Sequence, residues 1–233
     1  MSLILCIDTS LEEAAVCLAD GTKVIAVKRN NKQMDHASWI HTAINEMLAE
    51  AGKTINQVTA VAVSSGPGSY TGLRVGMATA KGLCYALNIP LITESTLKLT
   101  AYRVKKEIPT NGVYAFPVLI CPMIDARRME VFTALYDLDL HEMMEATALI
   151  LDESSFQSEL QSHVILFCGN GSEKWQNLCR HPNAVFVNTT QNVTDIADIA
   201  MEKLKKGEFS DLAYTEPAYL KNVYTGKQTN KLK

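Results

Sequence analysis

Residues 58–93 read VTAVAVSSGPGSYTGLRVGMATAKGLCYALNIPLIT, and the apolar period changes within them. Val58 to Val63 is a short β-branched run of strand type, Ser64 to Ser69 a loop of small residues, and Tyr70 to Leu87 a stretch of helical spacing. Asn88 stops that helix, and Ile89 to Thr93 reads as the following strand. Outward toward the N-terminus, Leu3 to Asp8, Ala14 to Ala19 and Lys23 to Lys28 are three apolar runs, the last two joined by the hairpin signal Asp20-Gly21. Next, Trp39/Ile40, Ala43/Ile44, Met47/Leu48 and Ala51 recur at helical spacing and predict a helix from His36 to Ala51, with Gly52 at its end. Three meandering strands, a helix, a strand, a helix and a strand predict an α/β unit whose mixed sheet is covered by helices.

Outward toward the C-terminus, Lys98 to Pro109 is charged and less apolar, and the turn Pro109-Thr110-Asn111-Gly112 places a domain boundary there. The expected division is 1–108 and 109–233, the last residues crossing back to the first lobe. The pattern then restarts: Tyr114 to Ile124 and Glu130 to Tyr136 as a strand pair, Val164 to Cys168 as a strand, and Val193 to Lys205 as an amphipathic helix ending at Gly207. Residues 137–163 show little periodicity.

The 233 residues are 47% hydrophobic and 20% charged with a net charge of −3, which excludes a disordered chain and the basic balance of an autonomous nucleic-acid binder. No apolar run approaches the length of a membrane span, and the N-terminus lacks the features of a secretory signal, so the expected location is the cytoplasm. The cysteines at 6, 17, 84, 121, 168 and 179 form no CxxC pair and are expected to be reduced core thiols.

Asp8-Thr9-Ser10 leaves the first strand into a hairpin, a pattern that serves phosphates in some nucleotide-binding proteins and is also ordinary turn chemistry. The 64–74 loop matches neither GxxxxGK[ST] nor GxGxxG, which excludes a P-loop and a dinucleotide fingerprint. Its helix starts with Ser69 or Thr71 as N-cap and offers free amides to an anion. Within that helix Gly72, Gly76, Ala80 and Cys84 form a small-residue stripe, which needs a closely packed neighbour, either this chain's own sheet or another subunit. His36 and His41 point roughly 140° apart on a helix and cannot share one metal ion. In the second half, Asp125-Ala126-Arg127-Arg128 and Gly169-Asn170-Gly171 each follow a strand and would flank a cleft between two domains, with arginines for anions.

Residues 4–10 (ILCIDTS), the helix bearing His36, residues 64–83, residues 123–132 (MIDARRMEVF) and residues 216–222 (EPAYLKN) together resemble the TsaB family, also called YeaZ. The resemblance spans nearly the whole chain and is most specific at Gly66 to Arg74, Pro90, and Glu216-Pro217 with Tyr219. It implies an actin-like ATPase (ASKHA, ribonuclease H-like) fold with two similar lobes around a cleft. It also implies a non-catalytic partner of TsaD in making threonylcarbamoyladenosine on tRNA, with TsaE as a further ATPase partner, homodimers when alone, and tRNA met only through the complex.

TsaD carries an HxxxH-type metal motif soon after the equivalent helix and strand, whereas Pro90 to Leu97 here contains no histidine. The expectation is therefore no catalytic residue, no metal and no cofactor beyond a weak or vestigial ATP/ADP site. The resemblance places the partner interface on the N-terminal lobe's helices, here Trp39, Ile40, Ala43, Ile44 and Met47 with Gly72, Gly76 and Ala80. The degenerate nucleotide cleft would comprise Asp8, Thr9, Ser10, Gly66, Gly68, Asp125, Arg127 and Gly169. The alternative is a self-sufficient nucleotide-dependent enzyme or glycoprotease-like metallopeptidase of the same fold.

Overall fold

The computed structural model describes residues 2–32, 35–108 and 116–221. The turn at 109–112 and the tail with Lys231 and Lys233 lie outside them. The first sheet contains β1 (Leu3–Asp8), β2 (Ala14–Asp20), β3 (Lys23–Asn30), β4 (Ala60–Gly66) and β5 (Leu91–Ser95), in the order β3, β2, β1, β4, β5. The first three strands form an antiparallel meander, and β4 and β5 run parallel to β1. The second sheet contains β6 (Val118–Asp125), β7 (Glu130–Tyr136), β8 (Glu142–Ile150), β9 (Val164–Cys168) and β10 (Ala184–Val187). Traced from β8, its order is β8, β7, β6, β9, β10, with the same pattern of antiparallel meander and parallel additions. Two sheets of one topology are the repeat that the sequence shows only in part.

Period-two alternation sends β1 to two cores. Leu3, Leu5 and Ile7 pack against α1 (His36–Glu50) and α2 (Tyr70–Leu87), whereas Ile4 and Cys6 face α6 (Val193–Lys206) across the sheet. Ser69 caps α2, its side chain accepting from the Gly72 amide at 3.3 Å, and Asn88 ends it in a left-handed conformation. The Gly66–Pro67 peptide that precedes the cap is cis.

The helices cross between the lobes. The charged stretch expected at the boundary is a helix, α3 (Thr96–Glu107), capped by Ser95, whose Leu97, Ala101 and Val104 pack on the second sheet. Conversely, Val193, Ile196 and Ala200 of α6 complete the core of the first. Residues 137–163 hold β8 and the short α4 (Gln157–Leu160). The other face of the second sheet is closed by α4, by α5 (Glu173–Gln176) and by Phe156, Phe167, Trp175 and Phe186, with the Phe167 and Trp175 rings 4.7 Å apart. Smaller corrections are shifts of one to four residues: β4 begins at Ala60, β5 at Leu91 and β6 at Val118. All six cysteines are free and five are buried. Burial pushes the Cys121 thiol up to about 12 and Cys84 up to about 11, so these thiols stay protonated and unreactive. Among the described residues no helix is long and apolar enough to cross a membrane.

Candidate functional site

A cleft of about 690 Å³ lies between the lobes, lined on one side by Ser10, Glu12, Gly68, Tyr70 and Thr71 and on the other by Asp125, Arg127 and Asn170. Four of the expected cleft residues meet there: Ser10, Gly68, Asp125 and Arg127. The other four are placed differently. Asp8 and Thr9 lie beneath the hairpin, 6% and 0% exposed. Gly66 sits under the carbonyl of Ala218, and Gly169 is pressed against the backbone of Met123 on β6.

The hairpin after β1 spends its polar groups on itself. Asp8 Oδ1 accepts from the Ser10 amide at 3.0 Å, from Ser10 Oγ at 2.7 Å and from Ser64 Oγ at 2.7 Å. Thr9 Oγ1 donates to the Gly72 carbonyl at 2.7 Å, and the Ser69 amide donates to the Ser10 carbonyl at 2.6 Å. Helix α2 thus begins directly on the hairpin between β1 and β2. This contact is why glycines stand before and along the first half of the helix: a Cβ at Gly68, Gly72 or Gly76 would come closer than 3.0 Å to Ser10 or Thr9.

That packing engages the residues of the expected interface within the chain. Gly72, Gly76 and Ala80 face this chain's own β1 hairpin and sheet, and Ile40, Ala43, Ile44 and Met47 are buried in the same core, with Trp39 half-buried against it. An apolar stripe on a helix beside a sheet is used first by that sheet.

On the far wall, Lys174 Nζ reaches Asp125 at 2.5 Å and the Arg127 amide donates to it at 2.6 Å. Partial burial pushes the Asp125 carboxyl up, but the Lys174 ammonium and the Arg127 amide outweigh it and hold it below the usual carboxylate range. The anchor is therefore intact at neutral pH and is lost as pH falls through that lowered value. An NMR titration should place the Asp125 midpoint below the ordinary aspartate value of about 3.9, and Lys174→Met should raise it. Arg127 and Arg128 both hold positive φ, 72° and 50°, in the turn between β6 and β7, and Arg127 lines the cleft. Among the described residues no three His, Cys, Asp or Glu side chains come together as metal ligands.

Sequence reasoning singled out the segments holding Tyr70, Arg74 and Tyr219 but did not bring the three side chains together. The Arg74 guanidinium lies 4.1 Å from the Tyr70 ring centre, and its Nε donates to the Tyr219 hydroxyl at 3.0 Å. Both flanking segments carry the family resemblance, and their joint presence was the available signal.

Two lobes of one topology, with interleaved helices and a cleft between the hairpins of β1–β2 and β6–β7, define the actin-like ATPase (ASKHA) fold. The family model described as TsaD, tRNA N6-adenosine threonylcarbamoyltransferase, matches residues 27–229. The chain is 28% identical over 233 residues to the tRNA threonylcarbamoyladenosine biosynthesis protein TsaB of Escherichia coli K12, covering 97% of each. It is 35% identical over 133 residues to TsaB of Bacillus subtilis 168, covering 57% of this chain and 54% of that protein. A solved structure of YeaZ from Pseudomonas aeruginosa shares the fold with a TM-score of 0.74 at 23% identity, covering 94% of this chain and 100% of that one. The chain belongs to the TsaB (YeaZ) family of tRNA threonylcarbamoyladenosine biosynthesis proteins.

Proposed function

We propose that this protein is a non-catalytic subunit that binds and activates a TsaD-like enzyme. That enzyme transfers a threonylcarbamoyl group from threonylcarbamoyl-adenylate to the adenosine next to the anticodon of ANN-decoding tRNAs. The observation that carries the reading is the closed β1 hairpin, whose Asp8, Thr9 and Ser10 are all engaged within the chain. A TsaE-like ATPase joins the assembly in the cytoplasm, and tRNA is met only through the complex, in keeping with a net charge of −3. Without its partner the free chain pairs with its own copy. The test is reconstitution: transfer to tRNA should require the TsaD-like enzyme and rise on adding this chain, and turnover by this chain alone would refute the proposal.

The partner surface is the outward side of α2, opposite the buried glycines. Arg74, Ala78, Gly82 and Tyr85 are exposed there, Tyr85 to 81%, and nothing lies within 4 Å of where a Gly82 Cβ would stand. Gly82→Leu should leave the monomer folded while overpacking the contact, a cost of about 1 to 3 kcal/mol, or roughly tenfold to hundredfold in affinity. Calorimetric titration with a TsaD-like enzyme checks this, and unchanged affinity would remove α2 from the interface.

A second reading, a nucleotide in the cleft, is favoured by Arg127 facing the N-terminal end of α2 across about 690 Å³. Equilibrium binding of ATP to the chain, alone and with the enzyme, separates the two.

A further inference from the structure

After α6 the chain returns along the first lobe as a strap without helix or strand. The Ser210 amide donates to the Leu91 carbonyl at 2.9 Å, and its hydroxyl lies 2.8 Å from that of Thr93. Lys81 of α2 donates to the carbonyls of Ala213 at 3.2 Å and Thr215 at 3.0 Å. The Ala218 amide donates to the Ser65 carbonyl at 2.7 Å, and the Tyr219 ring lies 5.2 Å from that of Tyr70. These anchors run from β5 past the middle of α2 to its first turn. Lys221 then crosses to the second lobe and pairs with Glu130, the first residue of β7.

The last residues of the strap, Tyr219 and Lys221, thus touch opposite walls of the cleft. Tyr70 belongs to the near wall, and Glu130 follows the Arg127-Arg128 turn of the far wall. The fastenings are unequal. On the first lobe there are backbone bonds, a buried glycine seat at Gly66 and a packed Tyr–Arg–Tyr cluster. On the second lobe the strap's charged contact among the described residues is one ion pair, with the Lys221 side chain 45% exposed. Such a pair opens at small cost and is screened by salt.

We propose that Ser210 to Lys221 is a clasp that sets the opening of the interlobe cleft, held firmly on the first lobe and releasably on the second through Lys221 and Glu130. Salt, or a charged group of a docking partner that competes for either side chain, frees the far wall. The clasp requires neither nucleotide nor enzyme, so it stands apart from the proposed function.

The test uses the full chain with Cys179→Ser, spin-labelled at Ala49→Cys on α1 and Ser158→Cys on α4, both exposed positions. Pulsed electron resonance gives the interlobe distance distribution, and hydrogen exchange reports residues 125–131. Lys221→Glu should broaden the distribution and raise exchange about fivefold, and high salt should do the same to the otherwise unmodified chain. The charge swap Lys221→Glu with Glu130→Lys should restore both readouts. If Lys221→Glu leaves both unchanged, or the swap does not restore them, the clasp assignment is wrong.

Discussion

Gly72→Ala and Gly82→Ala, two substitutions of one kind on one helix, are expected to change stability in opposite directions. At Gly72 the new methyl would collide with the Thr9 backbone, which a rotamer change cannot relieve, so α2 must lift from the hairpin that seats it. The expected loss is about 3 kcal/mol, the upper end for overpacking, with a thermal midpoint roughly 6 to 12 °C lower in a chain of this size. At Gly82 the methyl enters open space, and replacing a mid-helix glycine with alanine should stabilise by about 0.5 to 1 kcal/mol. Thermal and urea unfolding of both variants checks the pair. Equal effects would mean that α2 does not lie on the hairpin as described.

Asp8→Ala is expected to destabilise the protein strongly even though no ligand is involved. The substitution leaves the Ser10 amide and two hydroxyls, Ser10 and Ser64, without their shared acceptor at a site where Asp8 is 6% exposed. Bonds to a charged acceptor are the stronger ones, so the loss should be about 3 to 5 kcal/mol by urea unfolding. Asp8→Asn keeps the shape and one acceptor oxygen and should lose less. If Asp8→Ala unfolds at the same urea concentration as the parent, the carboxylate is not the hub of the hairpin. Such a result would reopen the cleft as a working nucleotide site.

Much of the first lobe was legible because its signals are local. The Asp20-Gly21 turn, the 3.6-residue period around Trp39 to Leu48, and the stop at Asn88 each act within a few residues. Helix α3 was hidden because Lys98, Arg103, Lys105, Lys106 and Glu107 interrupt apolar residues that face two cores, Leu97, Ala101 and Val104 one and Leu99 the other. Strand β8 was hidden because as an edge strand it is only partly buried, so its alternation is weak. The site was harder to read. Periodicity locates an apolar stripe but does not say whether the protein's own sheet or a partner covers it, and here the sheet takes Ile40, Ile44, Met47, Gly72 and Gly76. The Tyr70–Arg74–Tyr219 cluster joins residues 145 positions apart and has no local signature.

The interleaving of α3 and α6 also sets the order in which the chain becomes stable as it leaves the ribosome. The face of the first sheet formed by Ile4, Cys6, Ala15, Ala60, Ala62 and Ile92 is closed by Val193, Ile196 and Ala200. Those residues are synthesised roughly 100 positions after β5, an interval of about 5 to 20 s at ordinary translation rates. Throughout that interval the N-terminal half carries an uncovered apolar sheet, and α3 has no second sheet to dock on. A fragment ending at residue 108 should therefore aggregate or bind chaperones, whereas adding α6 in trans should recover it. By this argument neither half folds alone, and the first sheet is closed only when α6 arrives.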